Sequence, residues 1–244
     1  MSDNNVRSRL PALQLRISGA WAHFKKPETN NNPLTHDFIT KTALLGLMGA
    51  VLGVERQEMR ENFPVWSEDL RYGVQVLRNI RKVSWQFTMR GVKNNNEKSP
   101  RPMEVLRHPE FLVTIASGNE RSDEVLKRFA TYTEDFRAIY PPVLGLHNCP
   151  AQLEFVQRCE LSAQDGAYST HGFARLGDAP KVDFTSRDNE FRLGFERIPT
   201  FQNNDFWNPP DKYIEVCYAD GGEEIDLEKG EHFRLPNGDC WCLI

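Results

Sequence analysis

Alternation of apolar and polar residues predicts the first strand of this chain. Leu13, Leu15 and Ile17 alternate with polar side chains. A period of two is typical of a half-buried β-strand.

A helix built on small residues is predicted from residues 42 to 53, and either Asp37 or Thr40 is expected to cap it. Gly46, Gly49 and Gly53 recur at spacings of three and four, which places them on one face of the helix. Each glycine inside a helix costs about 1 kcal/mol relative to alanine. We therefore expect a close approach to this backbone, most simply by tight core packing.

The remaining pattern predicts an alternation of strands and helices as far as residue 156. The apolar set between residues 71 and 90 is too long for one strand, so we split it near Asn79 or Lys82. The other predicted elements are a helix at residues 55–62 ending near Pro64, a polar hairpin tip or loop at 91–102, a strand at 111–115, a helix capped by Ser122 with an apolar stripe to Phe136, and a strand at 153–156.

The order strand, helix, strand, strand, helix, strand predicts an α+β fold. It is the βαββαβ plan of ferredoxin-like and RRM-like domains, although the aromatic strand signature of an RRM is missing. We assign this plan to residues 1–160. Residues 161–244 form a β-rich C-terminal part, with strands predicted at 181–185, 191–198 and 213–218.

Charge is unevenly distributed along the chain, although the net charge is only -4. Residues 71–107 carry nine basic and two acidic side chains, whereas residues 205–244 carry ten acidic and three basic ones. The basic segment favours a polyanionic ligand, and the acidic segment favours a face turned away from it or toward a basic partner protein. Solvated strand faces are the simpler explanation for any single charge.

Spaced motifs for metal or nucleophilic catalysis are missing from the sequence. The six histidines form no ligand spacing, and the five cysteines are expected to be reduced thiols. A metal-free ribonuclease remains possible, because His23 with Lys25 and Lys26, or His36 with Lys41, provides a base and a cation.

Phosphate binding has more support in the sequence than catalysis. Lys25, Lys26 and Lys41 flank the N-terminus of the glycine-containing helix, whose free N–H groups attract anions. His147 and Asn148 follow Gly145 in a segment where the backbone can approach a ligand, although an ordinary turn explains that segment equally well. We expect no cofactor. No apolar run reaches the roughly 18 residues of a membrane span, and the N-terminus lacks a signal-peptide core, so we expect a cytoplasmic protein without membrane partners.

Five segments of the chain resemble a known family. Residues 19–29 (GAWAHFKKPET), followed by residues 33–35 and 42–50, resemble the N-terminal signature of the fifth CRISPR-associated protein family. Residues 148–151 (NCPA) resemble its second signature, and residues 196–200 (ERIPT) resemble type I-B-like members. This family belongs to the RAMP superfamily and supplies a subunit of type I Cascade.

The resemblance implies a ferredoxin-like domain with a projecting β-hairpin thumb, which we place near residues 71–110. It also implies binding of the 5′ handle of the CRISPR RNA, contacts with the Cascade backbone and large subunits, and access to target DNA through the complex. The predicted RNA-binding residues are His23, Lys25, Lys26, Asn30, Thr35, Lys41, Thr42, Arg78, Arg81, Lys82, Arg90, Lys93, Lys98, Arg101, Arg107, His147 and Asn148.

Three functions follow from these observations. The first is a non-catalytic RNA-binding subunit, in which Phe24, Trp85 or His147 stacks on RNA bases. The second is a metal-independent endoribonuclease. One branch of the family, in type I-C systems, cleaves RNA with a Tyr, Lys and His set, but His36 stands where that tyrosine is expected and no Lys-His pair follows, which argues against cleavage. The third is a purely structural interaction protein.

Overall fold

The computed structural model describes residues 9–29, 31–90, 98–181, 192–201 and 212–244. Its N-terminal part contains three helices and seven strands within those ranges: β1 (Arg9–Ser18), β2 (Trp21–Ala22), α1 (Lys41–Leu52), α2 (Arg56–Asp69), β3 (Leu70–Val76), β4 (Lys82–Arg90), β5 (Lys98–Arg107), β6 (Glu110–Ser117), α3 (Glu120–Glu134) and β7 (Gln152–Asp165).

The C-terminal part of the chain is built from shorter strands and one 3₁₀ turn (Leu176–Asp178). The described strands are β8 (Tyr168–Thr170), β9 (Ala174–Arg175), β10 (Pro180–Lys181), β11 (Leu193–Phe201), β12 (Lys212–Ala219), β13 (Ile225–Leu227), β14 (Glu231–Arg234) and β15 (Cys240–Trp241). The predicted strands at 191–198 and 213–218 therefore correspond to β11 and β12. Most of the predicted strand at 181–185 lies outside the described residues.

A six-stranded antiparallel sheet organises the molecule, in the order β15-β14-β7-β1-β6-β3. Helices α1 and α2 connect β1 to β3, and α3 connects β6 to β7 and packs against β1, β6 and β7. Strand β1 is more buried than its alternation predicts. Leu13, Leu15 and Ile17 enter the main core, while Leu10 and Ala12 join a second, smaller one with β14 and β15.

The segment from residue 240 to residue 244 lies at both edges of this sheet, because it begins with the outer strand β15 and ends beside the outer strand β3. Cys240 and Trp241 pair with β14 at one edge. Ile244 then exchanges two backbone hydrogen bonds of 3.0 Å with Tyr72 in β3, at the other edge. A Cβ atom at Gly73 would lie 2.7 Å from the carbonyl oxygen of Cys242, so glycine permits this close backbone contact.

The glycines of α1 have three different environments. Gly53 ends the helix with φ = 73° and lies under Ile139, and a Cβ at Gly49 would lie 2.8 Å from the Sδ atom of Met59. Tight packing therefore explains these two. A Cβ at Gly46 would meet no atom within 4 Å. The cap is Thr40, whose hydroxyl accepts a hydrogen bond from the amide of Ala43.

Three predictions about helix ends are wrong. Helix α2 continues through Pro64 to Asp69, and burial of Phe63 and Trp66 offsets the backbone hydrogen bond that proline cannot make. Asn119, rather than Ser122, caps α3, because its Oδ1 accepts from the amide of Ser122 at 3.1 Å. Phe136 lies beyond the end of α3, with φ = 54°, and is 85% exposed rather than part of the apolar stripe.

A two-stranded hairpin, β4 and β5, is inserted between β3 and β6. Trp85 lies opposite Met103 in its register, and the short strand β2 pairs with β5 near its base. The predicted split near Asn79 or Lys82 is confirmed, because β3 ends at Val76 and β4 begins at Lys82. Residues 71–76 belong to the main sheet, so the hairpin contains fewer residues than the predicted segment 71–110. Its tip, residues 91–97, lies outside the described part.

The proposed boundary at residue 160 falls inside strand β7. Side chains of both parts, such as Leu15 and Phe173, lie in one continuous core. The C-terminal strands β14 and β15 extend the same sheet as β1. Within the described ranges, no helix combines the length and hydrophobicity that crossing a membrane requires.

Candidate nucleic-acid interface

Two sequence segments that were predicted to bind RNA lie side by side. The amide of His23 donates to the carbonyl oxygen of Leu144 at 3.0 Å. Gly145 has φ = 88°, and a Cβ there would lie 1.9 Å from the carbonyl oxygen of His23. Because no other residue fits this contact without displacement, glycine allows the turn to lie against the segment that follows β2.

The turn itself exposes two of the predicted residues. Backbone hydrogen bonds from Leu144 to Cys149 (2.7 Å) and from Cys149 to Leu146 (2.9 Å) close the turn. His147 and Asn148 are exposed between them, while Cys149 is buried. The turn therefore offers an imidazole and an amide to solvent next to the basic loop.

The basic loop after His23 is held closed by its own backbone and by threonines. Lys26 N donates to Leu34 O at 2.8 Å, and Thr35 Oγ1 accepts from Phe24 N at 2.9 Å. Lys25 is exposed. Thr35 is fully buried, so its side chain supports the loop. Asn30 lies outside the described residues.

A buried carboxylate from β11 lies beneath the loop. Glu196 accepts from Lys26 Nζ at 2.9 Å, from His36 Nδ1 at 3.0 Å and from the Asp37 amide at 3.2 Å. Burial alone would raise the pKa of Glu196, but the hydrogen bonds and charges of His36 and Lys26 outweigh it and hold the pKa below its usual value. The charge of Lys26 is therefore compensated within the protein by the carboxylate of Glu196.

A second ionic contact ties the loop to the hairpin. Lys82 Nζ lies 2.5 Å from Asp37 Oδ1 and 3.4 Å from Glu104 Oε1. Burial lowers the pKa of Lys82, but Asp37 and Glu104 outweigh that effect and leave it raised. Asp37 also accepts a hydrogen bond from the Tyr218 hydroxyl of β12. We call Lys26, His36, Asp37, Lys82, Glu104 and Glu196 the buried ionic network, because its centre, His36 and Glu196, is buried; Lys26, Asp37 and Glu104 are half-buried, and Lys82 is exposed.

Both histidines considered as catalytic bases are buried. His23 Nδ1 bonds to the Glu104 carbonyl oxygen at 2.7 Å, and burial lowers its pKa. His36 is 3% exposed, and its Nε2 atom has no hydrogen-bond partner among the described residues. Neither ring is presented to a ligand at the surface.

Lys41, the predicted phosphate-binding residue at the start of α1, is not at the surface either. Lys41 is buried near Arg71, Lys212 and Asp69. Burial lowers its pKa to about 7, and the charges of Arg71 and Lys212 add to the effect. Its position is at odds with binding an external phosphate, because the ammonium group is enclosed. The Thr42 hydroxyl lies 3.0 Å from that of Thr40, at the helix cap.

Most of the predicted basic residues that the structure describes around the hairpin are exposed. Arg81, Lys98 and Arg107 are exposed, and Arg101 is half-buried. Arg78 is exposed and forms an ion pair with Glu110 at 3.1 Å. The Lys93 residue and the side chain of Arg90 lie outside what the structure describes.

Sequence reasoning missed the acidic half of the site. Glu196 lies 170 residues after Lys26 and 160 after His36, so no local spacing connects them. The prediction that Phe24 stacks on RNA bases is wrong, because Phe24 is buried against Phe111. Trp21 and His108, which the sequence did not suggest, lie beside the hairpin base.

The family described as CRISPR-associated protein (Cas5) matches residues 12–192. The chain belongs to the Cas5 family of CRISPR-associated proteins. The family assignment drawn from the N-terminal signature is thus confirmed. No curated protein sequence matches the chain.

Solved structures show the same overall fold. A crystal structure of a CRISPR protein from Archaeoglobus fulgidus shares 11% identity, with 95% of this chain and 98% of that chain covered and a TM-score of 0.56. A chain of a CRISPR RNA-guided surveillance complex shares 12% identity, with coverage of 89% and 91% and a TM-score of 0.53. These likenesses confirm the mixed α/β, sheet-rich class. In the described ranges, no group of three His, Cys, Asp or Glu side chains is arranged to hold a metal ion.

Proposed function

We propose that this Cas5 family member is the CRISPR RNA-binding subunit of a type I Cascade complex, and that the complex is similar to those of type I-B. In this role it holds the 5′ handle of the RNA, caps the filament of backbone subunits next to the large subunit, and reaches target DNA through the complex. The observation that carries the proposal is the convergence of the Lys25 loop with the exposed turn at His147 and Asn148.

The strand order supports a ferredoxin-like interpretation of the core. Strands β1, β3, β6 and β7 occur in the order β7-β1-β6-β3, with helical connections between β1 and β3 and between β6 and β7. This matches the βαββαβ plan. The hairpin β4–β5 interrupts that plan between β3 and β6, where we propose that it serves as the thumb.

Phosphate contacts are expected to supply most of the RNA affinity. Exposed cations at Lys25, Arg81, Lys98 and Arg107 supply four charges outside the buried ionic network. For a single strand, four phosphate contacts predict that log K falls with log salt with a slope of about -3. We propose no catalytic role, because His23 and His36 are buried and engaged in internal contacts.

A binding assay in EDTA tests the proposal. Labelled repeat RNA and a scrambled RNA of equal length are titrated with the purified chain across a salt series. Intact, shifted repeat RNA with a steep salt dependence supports the handle-binding subunit. A shortened RNA product would instead establish a metal-independent endoribonuclease. Absence of both, together with stable co-purification of a partner subunit, would favour a purely structural role.

A further inference from the structure

Three aromatic rings meet at the base of the hairpin, and we call them the aromatic cluster. Trp21 of β2 and Trp85 of β4 contact each other edge to face, with ring centroids 4.8 Å apart. His108, which follows β5, stacks on Trp21 with an interplanar angle of 24° and a centroid distance of 6.2 Å. Trp21 and Trp85 are half-buried, whereas His108 is exposed.

The backbone holds His108 in an uncommon conformation. Its φ angle is 49°, in the left-handed region that residues other than glycine rarely adopt. The amide of His108 donates to the carbonyl oxygen of Ala20 at 2.9 Å, and Gly19 N donates to Pro109 O at 3.3 Å. Such conformations persist where the surrounding structure determines them, and they are concentrated at functional sites.

The surroundings of the aromatic cluster are basic. Arg107 immediately precedes His108, and its amide donates to the carbonyl oxygen of Arg81 at 2.8 Å. Both arginines are exposed. Exposed aromatic rings beside cations are the arrangement with which proteins bind single-stranded nucleic acids, because rings stack on bases while cations contact phosphates.

We propose that His108, supported by Trp21, is the platform on which an unpaired RNA base stacks at the base of the hairpin. The inference rests on the proposed RNA-binding function and adds a base-contacting residue to it. Trp85 positions Trp21 by the edge-to-face contact, and Arg81 and Arg107 hold the adjoining phosphates. Phe195 on β11 is an exposed aromatic residue that lies outside the cluster. It therefore provides a matched control.

The test compares His108→Ala with Phe195→Ala in the same titration of handle RNA. Stacking is worth about a 5- to 160-fold change in affinity per base, so H108A should weaken binding by a factor in this range. Its salt dependence should equal that of the wild type, because no phosphate contact is lost. His108→Phe should retain most of the affinity, and F195A should bind normally.

Abasic RNAs identify the stacked position. A series of handle RNAs, each lacking one base, should contain one member that weakens wild-type binding but causes no further loss with H108A. RNA should also quench tryptophan fluorescence in the wild type, and Trp21→Phe should reduce that quenching. The thermal midpoint of each variant confirms that it is folded.

Two results would overturn the inference in distinguishable ways. If the wild type binds handle RNA and H108A binds equally well, the platform is wrong while the proposed function stands. If the wild type binds no handle RNA, the proposed function fails and the platform fails with it.

Discussion

The buried ionic network and the basic hairpin use similar residues in opposite ways. In the network, Lys26 and Lys82 are paired with Glu196, Asp37 and Glu104 at 2.5 to 3.4 Å. Around the hairpin, Arg81, Lys98 and Arg107 are exposed. Charges that are compensated by partners within the protein contribute to its stability, whereas exposed cations outside the network remain available to a polyanion. A basic sequence segment is therefore not a single functional unit.

The largest expected effect is the loss of the carboxylate at the centre of the network. Glu196→Ala leaves Lys26 and His36 without their acceptor in a buried site, so it should lower the free energy of unfolding by about 3–5 kcal/mol. Urea denaturation at pH 7 measures this change. A loss as small as that of a surface mutation would show that the network contributes little.

The pH dependence of the same site has a definite sign. Because the folded pKa of Glu196 lies below its usual value of 4.5, its stabilisation is fully present above that value. It is lost as the pH falls from 4.5 through the lower folded pKa. Glu196→Gln should therefore remove part of the acid sensitivity expected of the wild type below pH 4.5, as a series of denaturation curves would reveal.

Two lysines have pKa values that are shifted in opposite directions. Paired Lys82 has a raised pKa, whereas the pKa of buried Lys41 is lowered to about 7. Replacing Lys41 by Met should stabilise the protein at pH 7 by roughly 2–4 kcal/mol, because a buried charge is removed. The unfolded chain holds this proton up to about pH 10.5, so wild-type stability rises with pH from 7 toward 10. The difference in free energy of unfolding between K41M and the wild type should therefore become smaller from pH 7 to pH 10. A difference that does not change with pH would contradict this explanation.

Two glycines provide the next test. Gly145→Ala places a Cβ against the His23 carbonyl oxygen in a backbone conformation that alanine disfavours, and should cost roughly 2–3 kcal/mol. The matched variant, Gly46→Ala, adds a Cβ to an open helix position and should stabilise the chain by up to about 1 kcal/mol. Thermal unfolding of both variants measures the contrast, and equal effects would contradict it.

The smallest expected effect separates two adjacent lysines. Lys25 is exposed, and the side chain of the adjacent Lys26 forms an ion pair with the buried Glu196. Lys25→Ala should weaken RNA binding by about 1 kcal/mol and reduce the salt slope by about 1, with stability unchanged. Lys26→Ala should instead lower stability and leave the salt slope intact. A salt series on both variants, with unfolding curves as the control, shows whether the two roles differ.

The sequence predicted local features of the fold well and long-range pairing poorly. The alternation at Leu13 to Ile17 and the threonine cap of α1 are signals within a few residues of each other, and both correspond to observed elements. Pro64 misled the prediction of α2, because tertiary burial outweighed a local rule. Glu196 could not be found from spacing, because only the folded chain brings β11 beneath the basic loop.

Residues 240–244 cover part of the outer strand β3, and this has a consequence for assembly. An outer strand with unpaired N–H and C=O groups is a template on which strands of other molecules add. In β3, Tyr72 is already paired with Ile244, and Val74 O accepts from Phe173 N at 2.9 Å. Strands of neighbouring molecules therefore cannot extend the sheet at these positions.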